Sequence, residues 1–224
     1  MEIKICGIRR EEDIEIVNKY LPNYIGFIFV RKSKRYVEPL MVKKLVEKLD
    51  KRIKKVGVFV NESLENIEEI KDICKLDVIQ LHGEESVEFC SRVEGEVWKA
   101  LRVKDKESIE RECEVYYKNV DKILLDTYSS GNHGGTGETF DWEIARELAS
   151  KYSIVLAGGI NETNVVEAIK KVSAKIIDVA SGSETNSVKD EIKIERIIKN
   201  IRGIKWVNLV NMADNIQQKH WWNL

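Results

Sequence analysis

The sequence predicts an α/β protein built as a single (β/α)8 (TIM) barrel, and three observations lead there. Eight short runs rich in Val, Ile and aromatic residues recur at intervals of roughly 20 to 30 residues. Patterns with helical spacing lie between them. No Pro-, Gly- or Ser-rich linker divides the 224 residues, so the alternation belongs to one unit, residues 1–203. An open doubly wound sheet is the structural alternative, but a count of eight favours closure.

The strand runs begin near Ile3, Tyr24, Val56, Val78, Val97, Ile123, Ile154 and Ile176. Stretches such as Ile25–Val30, Val56–Val60 and Ile123–Leu125 are too continuously apolar for a half-exposed sheet. They read as parallel strands covered by helices. The helical patterns are Leu40, Val42, Leu45, Val46 and Leu49; Leu64, Ile67 and Ile70; Ile109, Cys113 and Tyr116; Ile144, Leu148 and Ala149; Val165, Ala168, Ile169 and Val172; and Ile194, Ile197, Ile198 and Ile201. Lys- and Glu-rich segments such as Lys43–Lys48 and Glu65–Lys71 read as the solvated faces of these helices.

Composition narrows the function. With 43% hydrophobic and 33% charged residues and a formal net charge of -1, neither disorder nor a polyanion-binding surface is favoured, and nucleic acid is not an expected partner. Cys6, Cys74, Cys90 and Cys113 lack C-x-x-C spacing and the chain opens on a strand, so a reducing cytoplasm is the expected location. No apolar run approaches the roughly 20 residues that span a bilayer, so no membrane role is expected. His82, His133 and His220 share no metal-ligand spacing, and no dinucleotide or nucleoside-triphosphate motif is present. Neither metal nor cofactor is implied, and His82 reads as a structural hydrogen-bonding group near the site.

A barrel gathers its function in the loops after the strands. Ala157-Gly158-Gly159 and Ala180-Ser181-Gly182 follow the last two strands, where barrels often hold phosphate on backbone N–H groups. Gly158, Gly159, Ser181 and Gly182 are therefore expected to bind the phosphate of a small substrate, aided by a short helix expected near Glu184. Asp126 ends strand six ahead of the glycine-rich stretch Gly131–Gly137, the position of a proton donor or acceptor under a lid, though a turn or cap residue would also fit. Cys6 ends strand one. A buried apolar role suits it on type, and only its strand-end position argues for reactivity.

In this order the chain resembles the phosphoribosylanthranilate isomerase family of tryptophan biosynthesis. The matching segments are Lys4–Ile8, Ser33–Tyr36, Val56–Asn61, Gln80–Glu84, Leu124–Thr127, Gly134–Gly137 with Thr139–Trp142, and Gly158–Ile160. The resemblance implies an Amadori rearrangement without a cofactor, Cys6 acting as general base at the ribose C2 position and Asp126 as general acid at the ring oxygen. It also implies that Arg35 faces the anthranilate carboxylate. Histidine-pathway isomerases, with carboxylates on both strands, and indole-glycerol-phosphate synthase, with an extra N-terminal segment, fit less of this set. A catalytically silent barrel fits poorly with Cys6, Arg35 and Asp126 together.

Two departures from the family pattern stand out. Ala180-Ser181-Gly182-Ser183-Glu184 replaces a double serine, glycine, hydrophobic residue and glutamate, and Asn186–Asp190 lacks a customary glycine. Residues 204–224 lie beyond the expected barrel and carry Trp206, Trp221 and Trp222. A cloning remnant, a frayed extension and a docking or homo-oligomerisation segment are the alternatives for this tail.

Overall fold

Parallel strands that are apolar on both faces need cover inside and out, and ring closure provides it. In the computed structural model, which describes residues 1–127 and 141–204, β1 (Glu2–Cys6), β2 (Tyr24–Ile28), β3 (Lys54–Phe59), β4 (Val78–Leu81), β5 (Glu96–Val103), β6 (Lys122–Thr127), β7 (Ile154–Leu156) and β8 (Ile176–Val179) form a closed barrel in chain order. Each neighbouring pair is parallel, and β1 closes on β8 with Lys4 opposite Asp178. All eight strands fall where the apolar runs predict them.

The helices on the outside are α1 (Glu11–Tyr20), α2 (Pro39–Glu47), α3 (Leu64–Cys74), α4 (Val87–Cys90), α5 (Lys106–Tyr116), α6 (Trp142–Lys151), α7 (Val165–Val172) and α8 (residues 191–204). Two of them, α1 and α4, are absent from the sequence expectation. α1 buries only Asp13, Ile14 and Val17, too few apolar residues for a clear stripe, and Asp13 is spent at its start, accepting from the backbone N–H groups of Arg9 and Arg10. α4 is one turn long. None of the helices among the described residues is long and apolar enough to cross a membrane.

The core has two shells because alternate strand residues point opposite ways. Outward-facing Ile3, Ile5, Ile25, Phe27, Ile79, Leu125 and Ile177 pack with the helices. Inward-facing Tyr24, Val56, Val78, Trp98, Leu124, Val155 and Ile176 fill the lower barrel. One residue pair higher the interior turns polar, with Lys4, Gln80 and Asp178 buried there. Cys6 and Asp126 continue this inward phase at the ends of their strands.

Candidate active site

Cys6 is the last residue of β1 and is 5% exposed. Its neighbour in register on β2 is Gly26, and a Cβ at that glycine would stand 2.6 Å from the Cys6 sulfur. Only glycine leaves room for the thiol to face inward at this height. Burial pushes the thiol up from its ordinary value, and nearby Lys4 opposes that shift.

Asp126 lies near the end of β6, three strands from Cys6 round the ring, and is buried with 6% exposure. His82 Nε2 stands 3.3 Å from its Oδ2. Gln80 Nε2 lies 3.0 Å from His82 Nδ1. An imidazole that accepts from Gln80 at Nδ1 carries its proton on Nε2, the side facing Asp126. His82 thus stands beside the site, where it is expected, and its position just past β4, two residues beyond inward-facing Gln80, is the signal that places it there.

Arg35 is not a solvated loop charge. It is 5% exposed, and its Nε and Nη2 donate to the two carboxylate oxygens of Glu184, each at 2.7 Å. Lys189 donates to Glu184 Oε1 at 3.0 Å, to Ser183 Oγ at 2.9 Å and to the Ala180 carbonyl at 3.0 Å. Two buried cations therefore share one carboxylate. The fork of Arg35 is engaged by Glu184 along one edge, and Nη1 takes no part in that pair.

The turns after β7 and β8 come together. Gly158 and Gly159 have φ of 82° and 65°, a region that favours glycine, and Asn161 bridges in parallel fashion to Gly182. A Cβ on Gly182 would fall 1.9 Å from the Ile160 carbonyl oxygen, so the two turns interlock as backbone on backbone. Gly158, Gly159, Ser181 and Gly182 are only half-buried and line one side of the barrel mouth.

The short helix expected near Glu184 is corrected by the structure. Glu184–Thr185 (β9) pairs antiparallel with Val188–Lys189 (β10) as a two-residue hairpin turning on Asn186 and Ser187, whose φ values are 52° and 62°. The N–H groups of Ser183 and Glu184 are spent on the Ala180 and Ser181 carbonyls. α8 begins later, and its first turn is capped by Asp190, whose Oδ1 accepts from Lys193 N. A carboxylate at that end repels a second anion.

Sequence reasoning missed Lys4 and Asp178, which pair inside the barrel at 2.8 Å. It also missed Glu184 as the partner of Arg35 and Lys189 as the second cation on that carboxylate. Only phasing with Cys6, two residues on, would place Lys4 inside, because its alternation with isoleucines reads as solvent-facing; Asp178 and Glu184 reach Lys4 and Arg35 through closure of the ring. The expected lid, Gly131–Gly137, and the tail tryptophans lie outside the described residues. No group of three or more His, Cys, Asp or Glu among the described residues is placed to hold a metal ion.

Comparison with known proteins bears directly on this mouth. Residues 3–200 match the family model described as N-(5'phosphoribosyl)anthranilate (PRA) isomerase. A relative from Clostridium acetobutylicum, N-(5'-phosphoribosyl)anthranilate isomerase, is 47% identical over 210 residues, covering 92% of this chain and all of the relative. One of the same name from Thermoanaerobacter sp. is 45% identical over 206 residues, covering 92% of this chain and all of that one. The solved phosphoribosyl anthranilate isomerase of Thermotoga maritima superposes with a TM-score of 0.84 at 36% identity, covering 91% of this chain and 99% of that one. Another solved enzyme of this name, in complex with reduced 1-(o-carboxyphenylamino)-1-deoxyribulose 5-phosphate, matches at a TM-score of 0.81 and 35% identity over 91% of this chain and 99% of its own. With a family model spanning nearly the whole barrel and relatives aligned along their full length, the chain belongs to the N-(5'-phosphoribosyl)anthranilate isomerase family.

Proposed function

We propose that this chain converts N-(5-phosphoribosyl)anthranilate to 1-(2-carboxyphenylamino)-1-deoxyribulose 5-phosphate, a step of tryptophan biosynthesis, with Cys6 as general base and Asp126 as general acid. The observation that carries the reading is the convergence of an inward thiol on β1 and an inward carboxyl on β6 at one mouth, beside two interlocked glycine turns. The relative solved with a reduced carboxyphenylamino-deoxyribulose phosphate supports the same ligand class here.

Asp126 gives its proton to the ring oxygen as the bond from that oxygen to C1 breaks. The nitrogen lone pair forms the C1 iminium. The Cys6 thiolate then takes the proton on C2, and the C–H electron pair becomes the C1–C2 double bond of an enol-amine. Reprotonation at C1 with loss of the enol proton yields the ketone. Each transfer needs a well-placed group, and such a group contributes about 10²–10⁴-fold. The phosphate rests over Gly158, Gly159, Ser181 and Gly182, and the aromatic carboxylate lies towards Arg35. Because Glu184 takes the Nε and Nη2 edge of Arg35, the substrate meets Nη1.

The test is turnover, followed as loss of the anthranilate fluorescence. Cys6→Ser and Asp126→Asn are expected to fold, to bind a product analogue, and each to lose about 10²–10⁴-fold in kcat. Near-normal turnover in either variant rejects the role of that residue.

A further inference from the structure

Lys4 and Cys6 are two apart on β1, so both side chains enter the barrel, Lys4 directly below the thiol. Lys4 is completely buried, and its ammonium meets Asp178 Oδ2 at 2.8 Å across the β1–β8 seam. The point where a Gly26 Cβ would stand is 2.6 Å from the Cys6 sulfur and 3.2 Å from Lys4 Cε, so the sulfur and the end of the lysine stem border the same space. The layer beneath is filled by apolar side chains, and a buried ion pair is a poor substitute for them as packing, since apolar replacements are often neutral or stabilising. Asp178 Oδ1 is moreover buried without a hydrogen-bond partner among the described residues, so the pair is not arranged for its own satisfaction.

We propose, resting on the reading of Cys6 as proton acceptor, that Lys4 is a positioning residue that favours the thiolate form of the Cys6 sulfur, with Asp178 setting the strength of that effect. A thiolate in a water-poor interior needs a countercharge. Four other charged groups surround this one. Asp178 faces it from β8, Lys189 from β10 and Arg35 from the loop after β2, while Glu184 on β9 stands between the last two. Lys189 directs its donors to Ala180, Ser183 and Glu184, and Arg35 gives one edge to Glu184. Lys4 is the cation among them whose stem borders the same space as the sulfur, one inward position below it on the same strand. Burial pushes the Cys6 thiol up, Lys4 is the largest opposing influence, and Asp178 acts against Lys4.

Ultraviolet absorbance of the thiolate, measured against pH as the difference from the Cys6→Ser variant, isolates Cys6 from Cys74, Cys90 and Cys113. Lys4→Met is expected to raise the Cys6 inflection by about one pH unit or more, a tenfold loss of thiolate at any pH below it, and to move the acid limb of kcat/KM in the same direction. Asp178→Asn is expected to lower the inflection, and Lys4→Arg to keep it near the parent value. The opposite signs are decisive, because a pair that merely fills the barrel would disturb the thiol in one direction whichever member were lost. An unmoved inflection in Lys4→Met, or shifts of the same sign in Lys4→Met and Asp178→Asn, overturns the proposal. Should Lys4→Met fail to fold, an unmoved or raised inflection in Asp178→Asn overturns it alone. Full turnover in Cys6→Ser would instead sink the general-base reading while leaving the thiolate titration intact, so the two failures are distinguishable.

Discussion

Glu184 sits where two buried cations meet, and its titration reports on them. Burial alone would push the carboxyl up, but two hydrogen bonds from Arg35 and the charge of Lys189 hold it at about 2 against an ordinary 4.5. A carboxyl depressed in the folded state contributes stability above its unfolded value and loses it as pH falls. Glu184→Gln should therefore lose about 3–5 kcal/mol at neutral pH, where it strands Arg35 and Lys189, and its stability should fall less than the parent's between pH 4.5 and about 2. Denaturant unfolding across that range checks both the loss and the window. At this scale, legibility followed chain distance. Cys6 and Asp126 are visible because each ends an apolar run, whereas Arg35 and Glu184 are 149 residues apart and only closure of the ring joins them. Lys4 was hidden by its pattern, since a lysine alternating with isoleucines normally reads as facing solvent, and here it faces the barrel interior.

Among the elements, the turns after β7 and β8 hold the strongest claim on a ligand. Gly159 has a φ of 65°, so Gly159→Val forces a branched side chain into a left-handed conformation and places bulk where an anion would approach the backbone. Inorganic phosphate, measured as a competitive inhibitor, should bind the Gly159→Val protein far more weakly. Ser181→Ala removes at most one side-chain hydrogen bond and should cost about 1–3 kcal/mol or less of phosphate affinity. Equal, unchanged inhibition constants in both variants would move the phosphate elsewhere. The eight strands and six of the helices were readable from periodicity, because burial on one or both faces writes itself into the spacing of apolar residues. The hairpin after β8 was not. Its turn is Asn-Ser rather than the Asn-Gly that signals such a hairpin, and Glu184 and Lys189 are held by ion pairing that no local pattern encodes.

For the molecule as a whole, ring closure is what turns scattered strand ends into a site. Cys6, Arg35, His82, Asp126, Gly158 and Ser181 come from six different segments and share one mouth only because β1 pairs with β8. The family match ends at residue 200, and the Clostridium relative aligns along its whole length within 92% of this chain. We propose that residues 1–203 are the catalytic unit. Removing residues 205–224 should leave kcat/KM within about twofold, since the family match ends before them and relatives aligned along their whole length do without them. A large loss of turnover on truncation would make the tail part of the enzyme. The most direct measurement of the central claim is a crystal structure with reduced carboxyphenylamino-deoxyribulose phosphate bound. The predicted result has the phosphate over Gly158, Gly159, Ser181 and Gly182, the Cys6 sulfur at C2 of the sugar chain, and Asp126 at the oxygen released from the ring. A phosphate bound away from these turns, or a sugar out of reach of both Cys6 and Asp126, would contradict it.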